Sequence, residues 1–553
     1  MSRKSALISV WDKTGVVDFG RGLAELGYEL VASGGSARVL AAAGLAVETV
    51  ESVTGFAEVL GGRVKTLHPA IHAGLLARPT AAHLGELAER GIAPIDVLAC
   101  NLYPFAATVA DRDVDEAMAI EQIDIGGVTL LRAAAKNFER VTVVCDPADY
   151  GAVLRLLGGD RANDEKANDN PASGDRASDN QASDNPGSDG QPGDDQASDA
   201  ATPTPTRRSL ALAAFRHTAA YDAAIATWLA GRVEGDAALP ATLNLTAERV
   251  EILRYGENPH QAAATYRWAG TQPGFEQLQG KALSYNNIAD LEAALVMPAE
   301  FERPAVAIVK HTNPCGLAVA DDNVAAFAKA LACDPVSAFG SIIATNRPVE
   351  LAFVEAVGKL FVEVIVAPAF SDDALAWLQK RKRNCRVLRL LPAGRADQPL
   401  AGLFLRSVAG GLLVQTEDDR GGDASAWRVV SKRAPSASEL DDLAFAWLAC
   451  KHVKSNAILI AHDGATVGVG AGQMNRVESV RIAASAAGDR ATGAVLASDA
   501  FFPFADGVEA AAAAGVTACI QPGGSIRDGE VIAAADRLGL AMVLTAERHF
   551  RHA

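Results

Sequence analysis

The residues best equipped for chemistry in this chain are Lys310 and His311, inside the run AVAIVKHTNPCG from Ala305 to Gly316. A short apolar run rich in β-branched residues suits burial on both faces, so Ala305–Val309 is predicted as a strand of a parallel sheet. Asn313-Pro314 and Gly316 are expected to end it in a loop. Lys310 and His311 then sit at the carboxyl end of a central strand, where open α/β sheets bind ligands. An ammonium beside an imidazole favours the neutral ring, which can accept a proton near pH 7. A Lys-His dipeptide at a strand end can equally be a solvated pair, and the surrounding motifs have to decide.

A second set of such residues lies in the first 140 positions. Asp12-Lys13-Thr14-Gly15 and Ser33-Gly34-Gly35-Ser36 each follow a predicted strand and open a helix. Glycines let backbone amides converge there, and the helix N-terminus adds partial positive charge, so both turns suit a phosphate. Neither is a dinucleotide fingerprint or a nucleoside triphosphate loop. Gly61-Gly62-Arg63-Val64-Lys65-Thr66, Asn101-Leu102-Tyr103-Pro104-Phe105, Gln122-Ile123-Asp124-Ile125-Gly126-Gly127 and Lys136-Asn137 follow. They read either as a solvated basic loop, a loop tyrosine and a helix cap, or as one pocket for an anionic substrate. In the second reading Lys65, Tyr103, Asp124 and Lys136 are available for proton transfer.

These motifs need scaffolds. Ala6–Val10, Glu29–Ala32, Val97–Cys100 and Val141–Cys145 are predicted strands, with helices at Val16–Leu26 and Ala37–Ala43 between the first of them. Repeated βα units imply a doubly wound parallel sheet. From Gly158 to Ser209 there is no Leu, Ile, Val, Phe, Tyr, Trp or Met. Such a segment buries too little apolar surface to offset its ordering entropy, and residues 158–206 are expected to be a disordered acidic spacer. Arg208–Ala230 is a predicted helix with Leu210, Ala214, His217, Tyr221, Ile225 and Trp228 on one face. Beyond it come the polar loop Arg254–Gln261, the strand Ser341–Ala344 after Gly340, and strands at Ala457–Ile460 and Val467–Val469.

The 553 residues suggest three or four domains, and the net charge of −16 suits no nucleic-acid partner. Half of that charge lies between Asp160 and Thr206. Seven scattered cysteines without a CxxC argue against a disulfide framework and for a reducing cytoplasm. No apolar run reaches membrane-spanning length.

Over nearly its whole length the chain resembles the bifunctional purine-biosynthesis family that joins AICAR transformylase to IMP cyclohydrolase. The motifs that carry this are SGGS, GGRVKTLHP, NLYPF, EQIDIGGVTLLRAAAKN, RYGENPHQ, LSYNNIADL, KHTNPCG, DPVSAFG, KSNAI, GAGQMNRV and SDAFFPF. The resemblance implies formyl transfer from the co-substrate 10-formyltetrahydrofolate to AICAR, then dehydrative closure of the product, FAICAR, to IMP. It implies an α/β protein: a methylglyoxal synthase-like domain over residues 1–157, then a transformylase unit over 207–553. That unit would hold two cytidine deaminase-like subdomains meeting near residue 370. A cytoplasmic homodimer is also implied, with no metal required and no nucleic-acid or membrane partner.

Carried over residue by residue, Lys310, His311 and Asn456 match the transformylase's catalytic positions. Lys65, Tyr103, Asp124 and Lys136 match those of the cyclohydrolase, with Lys136 expected as the proton shuttle. Substrate-binding positions implied in the first unit are Lys13, Thr14, Ser33, Gly34, Gly35, Ser36, Arg63, Thr66, Asn101, Gly126 and Gly127. In the second unit they are Arg254, Tyr255, Gly256, His260, Gly340, Arg476, Phe501, Asp506 and Arg548. The chain departs from the pattern at Trp11, where a small residue is usual, and at Ala505, where an arginine is usual. A zinc deaminase would need a His/Cys-x-Glu element and a Pro-Cys-x-x-Cys element, and neither occurs. A non-catalytic nucleotide-binding protein of the same fold is the other alternative, and it would be expected to have lost Lys65, Lys136, Lys310 or His311.

Overall fold

Short β-branched runs flanked by amphipathic helices assemble into two units, residues 1–246 and 247–553. The computed structural model describes residues 4–110, 114–168, 205–235, 239–269, 271–391, 402–421 and 423–552.

In the first unit β1 (Lys4–Ser9), β2 (Tyr28–Ala32), β3 (Val47–Thr49), β4 (Val97–Cys100) and β5 (Thr142–Val144) form one parallel sheet, ordered β3-β2-β1-β4-β5. Ala6–Ile8 and Val97–Ala99 are fully buried, as central parallel strands require. The chain runs outward from β1 in one direction and later from β4 in the other. A topological switch point therefore lies between them, and the turns leaving both strands open onto it.

The helix Arg207–Val233, opened by a Thr206–Ser209 capping box, buries Leu210, Ala211, Ala214 and Tyr221 in this first core. Phe105 meets the rings of Tyr221 and Trp228 edge-on, with centroids 6.2 and 5.6 Å away. The helix from residue 207, expected to open the second unit, packs its apolar face into the first core, and the second compact unit begins at residue 247. The spacer's expected start at residue 158 is corrected. The helix Tyr150–Asn168 continues past that point. Residues 169–204, the bulk of the expected spacer, lie outside the described residues.

The second unit opens with a hairpin of β6 (Ala247–Leu253) and β7 (Ala263–Trp268), and the loop Arg254–Ala262 joins them. Twelve further strands share one mixed sheet. They are β8 (Phe275–Gln279), β9 (Ala305–Lys310), β10 (Asn313–Val319), β11 (Ser341–Thr345), β12 (Val362–Ala367) and β13 (Arg386–Leu390), then, past the hairpin of β14 (Leu403–Val408) and β15 (Gly411–Thr416), β16 (Arg428–Val429), β17 (Ile458–His462), β18 (Ala465–Gly470), β19 (Val495–Ser498), β20 (Ala518–Gln521) and β21 (Ala541–Leu544). Their order is β16-β21-β20-β19-β17-β18-β10-β9-β11-β12-β13-β8.

That order is one arrangement used twice. In each half a hairpin (β9–β10, β17–β18) is followed by one strand antiparallel to its first arm and two more parallel to that strand. A short strand antiparallel to the last completes each half. The halves join through β10 and β18, which are antiparallel, so a two-fold relation passes between them. The expected division near residue 370 falls inside the first half, where Ser371 caps the helix Asp372–Arg381 that leads on to β13. The change of half lies between Leu390 and Arg428.

Two expectations for the Lys310 region are corrected. β9 is antiparallel to both neighbours, and Asn313–Gly316 is not a loop but the start of β10. Gly316 lies where the helix Asn323–Cys333 crosses the strand, and a Cβ there would collide with the carbonyl of Ala330. Close packing explains this glycine better than turn formation. No helix among the described residues is long and apolar enough to cross a membrane, and the seven cysteines are free thiols.

Candidate active sites

At the switch point of the first unit, Asn101 at the end of β4 secures the turn after β1. Its Oδ1 accepts the amides of Trp11 (2.6 Å) and Asp12 (2.9 Å), and its Nδ2 donates to Asp12 O (3.1 Å). Asp12 Oδ1 in turn accepts the amide and hydroxyl of Thr14 (2.9 and 2.7 Å), which holds its carboxyl below the usual range. Lys13 Nζ donates to Val10 O (2.7 Å) and Trp11 O (3.0 Å), and burial lowers its pKa. Trp11 itself, half exposed, leaves this backbone network intact.

Across from that turn the helix Gly34–Ala42 begins, and the side chains of Lys13 and Lys65 reach its two glycines. A Cβ on Gly34 would stand 3.3 Å from Lys65 Nζ, and one on Gly35 would stand 3.4 Å from Lys13 Cε and 4.0 Å from an Arg38 nitrogen. Three cations and a helix N-terminus thus meet at one place, which suits a phosphate dianion. Arg38 was not among the expected residues, although its place four residues after Gly34 puts it on the same helix face. Ser36 faces inward, 2% exposed, with its hydroxyl 3.1 Å from both Val10 N and Val10 O. Ser33 shares a 2.7 Å hydrogen bond with Ser9. Ser36 and Asn101 therefore shape the turns, and the glycine amides and cations present the charge.

The third wall is the start of the helix Gly126–Lys136. Asp124 Oδ1 accepts the amide of Gly127 (2.7 Å), and the amide of Tyr103 also faces this carboxylate. Burial outweighs both bonds and raises the Asp124 pKa, a direction that favours proton transfer near neutrality. A Cβ on Gly127 would lie 2.6 Å from Asp124 Oδ2, so any larger residue would displace this carboxylate. Tyr221 on the helix Arg207–Val233 fixes this loop, its hydroxyl accepting from Asp124 N (2.8 Å) and donating to Gln122 O (2.7 Å). Thr66 is buried against Gly126, Lys65 pairs with Glu58 at 3.2 Å, and Arg63 pairs with Glu121. Lys136 is not brought to this group. It is exposed at the other end of the helix, about 15 Å along the axis from Gly126.

In the second unit the sheet collects the expected residues along one edge. The carboxyl end of β9 and the amino end of β10 lie there, and so do the carboxyl ends of β18, β19, β20 and β21 and the amino ends of β11 and β17. Lys310 Nζ donates to Phe339 O (2.9 Å) beside Gly340. His311, exposed, forms with Thr312 a two-residue turn in which both have positive φ (54° and 59°). Asp290, on the helix Tyr285–Ala299, accepts both turn amides, His311 N at 3.2 Å and Thr312 N at 2.7 Å. One helical turn earlier, Asn286 Nδ2 donates to Glu257 O (3.4 Å). The Arg254–Gln261 loop, with Arg254, Tyr255, Gly256 and His260, is thereby tied to the helix that holds His311.

Farther along the edge, Asn456 follows a cis peptide bond, and its Nδ2 donates to Gln473 O (2.8 Å). Arg476 donates to Asn456 Oδ1 (2.7 Å) and Ser498 Oγ (2.8 Å) and pairs with the fully buried Asp499. Its guanidinium is thus shared among Asn456, Ser498 and Asp499. A cavity of about 510 Å³ opens beside them, lined by Asn456, Arg476, Phe501, Phe504, Asp506 and Arg548 among others. Asn313 Oδ1 accepts the Lys454 amide (3.2 Å), linking the two halves of the edge. Ala505 lies at the N-terminus of the helix Asp506–Ala513, between the cavity-lining residues Phe504 and Asp506. Among the described residues no three His, Cys, Asp or Glu side chains converge as a metal site needs.

Two family models match successive stretches of the chain. Residues 15–129 match the MGS-like domain family, and residues 194–486 match the AICARFT/IMPCHase bienzyme family. The chain is similar to the bifunctional purine biosynthesis protein PurH of Chloroflexus aurantiacus, 53% identical over 99% of this chain and 98% of that one. The PurH of Desulfitobacterium hafniense is 49% identical over the full length of both. Among solved structures, that of ForH is 35% identical, with 41% of this chain and 98% of that one covered and a TM-score of 0.30. The chain belongs to the family of bifunctional purine biosynthesis proteins, the AICARFT/IMPCHase bienzymes.

Proposed function

We propose a division of labour between the two units of this enzyme, which performs the final two steps of de novo IMP synthesis: formyl transfer by the second unit and ring closure by the first. The observation that carries it is the separation of two dissimilar sites. One is a cationic pocket at a parallel-sheet switch point, the other a long edge with a ring-lined cavity.

In the second unit His311 takes the proton of the AICAR amine as its nitrogen attacks the formyl carbon of 10-formyltetrahydrofolate. The nitrogen–carbon bond forms, the bond to the folate nitrogen breaks, and that nitrogen leaves protonated. Lys310 stabilises negative charge on the formyl oxygen, and Asn456, oriented by Arg476, positions the formyl group. The cavity beside Phe501 and Phe504 accommodates the folate, and Arg254, Tyr255, Gly256, His260, Gly340, Asp506 and Arg548 contact nucleotide or folate. This half of the molecule is a pair of cytidine deaminase-like domains, a reading supported by the duplicated strand order.

In the first unit Lys13, Arg38 and the Gly34-Gly35 amides hold the phosphate of FAICAR. The carboxamide nitrogen attacks the formyl carbon of the same molecule, and the formyl oxygen leaves as water. The reaction is intramolecular, so holding one rotamer supplies much of the acceleration. Lys65, Tyr103 and Asp124 move the protons. Lys136, named by the resemblance as their partner, stands outside the cluster in this chain. The enzyme works as a cytoplasmic homodimer without a metal requirement.

The test is one assay of the purified protein with AICAR and 10-formyltetrahydrofolate, following tetrahydrofolate and IMP together. Parallel appearance is expected. Tetrahydrofolate without IMP would remove the first-unit assignment, and IMP made only from supplied FAICAR would remove the second.

A further inference from the structure

The two halves of the large sheet place a carboxylate at the same point. The helix Tyr285–Ala299 starts with a capping box at Ser284, and the helix Ala437–Lys451 starts with one at Ser436. Six residues after each cap stands an aspartate, Asp290 or Asp442, and a leucine follows each. Each aspartate accepts the two amides of its half's hairpin turn. Asp290 holds His311 N and Thr312 N at 3.2 and 2.7 Å, and Asp442 holds Asp463 N and Gly464 N at 3.0 and 2.7 Å. All four turn residues have positive φ, between 50° and 64°.

The device is shared, but the turns differ in how much they need it. Asp-Gly is a preferred dipeptide for a two-residue hairpin turn with positive φ at both positions. His-Thr is not, and Thr, being β-branched, resists that conformation most. At Asp463-Gly464 the turn is favoured by its own residues, and Lys329 Nζ also holds Asp463 Oδ2 at 2.7 Å. At His311-Thr312 the sequence opposes the turn, and the Asp290 carboxylate offsets this from a rigid helix. Local bonds from Thr312 Oγ1 (2.7 Å) and Asn313 Nδ2 (3.1 Å) to His311 O complete the clamp. Conformations that L-residues avoid persist at functional sites where surrounding structure imposes them.

We infer that Asp290 is the positioning residue for formyl transfer: it holds His311 in the left-handed turn that aims its imidazole, while Asp442 does the same structural work where nothing is catalysed. The inference rests on His311 being the base. Asp290→Asn keeps the size but sets an amide nitrogen against one of the two N–H groups.

The experiment compares Asp290→Asn, Asp442→Asn and His311→Ala in the full chain, by steady-state formyl transfer and thermal unfolding. Asp290→Asn is expected to lower kcat about 10–100-fold, the scale of a displaced catalytic group, with KM for AICAR within about twofold. Asp442→Asn is expected to lower Tm and to leave kcat within about twofold of the parent. If Asp290→Asn keeps its kcat while His311→Ala is inactive, the positioning role is wrong and the base stands. If Asp442→Asn loses kcat equally, both carboxylates are struts and the inference falls. If His311→Ala stays active, the base assignment fails and takes the positioning role with it.

Discussion

The two sites solve different problems with different parts of an α/β fold. The first gathers three cations and two helix N-termini at a switch point, between turns from β1, β2 and β4 and the Lys65 loop. The second spreads its groups along one edge of a twelve-stranded sheet, from the His311 turn to the cavity beside Phe501. Ring closure involves one small anionic substrate whose reacting atoms are already joined, so fixing its phosphate and rotamer is most of the task. Formyl transfer has to align two separate molecules, one of them large, and on the proposed assignment a longer edge with an adjoining cavity supplies that reach. Much of the first site's electrostatics comes from orphan amides at helix starts, whereas the second relies on side chains held by other side chains.

The largest expected effect tests the separation itself. His311→Ala should reduce formyl transfer by about two to four orders of magnitude, the span of general base catalysis, while closure of supplied FAICAR is unchanged. Equal loss of both activities would merge the two sites. The converse experiment is Lys65→Ala or Asp124→Asn, expected to slow ring closure about a hundredfold or more and to leave formyl transfer alone.

Asp124→Asn carries a second signature, in stability. Burial raises the folded-state pKa of Asp124 above its unfolded value, so its protonated form favours folding and that contribution fades as pH rises through the raised pKa. The Asn variant should unfold at higher temperature than the parent above that pKa. Below the ordinary carboxylate range, near pH 3–4, the two should converge. A parent that is the more stable at neutral pH would show that its hydrogen bonds outweigh burial.

Arg476→Ala sharpens the contrast from the other side. It strands Asp499, whose side chain is fully buried, and should destabilise the second unit by about 3–5 kcal/mol and lower formyl transfer. A variant with unchanged unfolding would mean that the pair contributes little. The smallest effect is expected from Lys136→Ala, which should slow ring closure less than Lys65→Ala does. An equal or greater loss would show that Lys136 reaches the reacting atoms after all, by rearrangement or from a second copy of the chain.

Local chemistry was largely readable from the chain. Alternating apolar runs identified the strands β1, β2, β4 and β5, and the apolar stripe from Leu210 to Trp228 identified its helix. Glycine-rich turns marked the cationic pocket, and ordered motifs marked the family. Partners distant in sequence were not readable. Nothing in AVAIVKHTNPCG announces a hairpin, because His-Thr is not a turn dipeptide; the turn exists because Asp290, twenty-one residues earlier, holds it. The helix at residue 207 follows a segment without large apolar residues, so the sequence marks a boundary there, yet its buried face belongs to the first core. Lys136 shares a motif with Asp124, yet a helix of eleven residues sets them apart. Periodicity, composition and turn chemistry are properties of neighbours along the chain, and they determined the elements and the candidate residues. Which carboxylate faces which amide, and which candidates meet, depends on packing between elements far apart in sequence, and only the tertiary structure decided it.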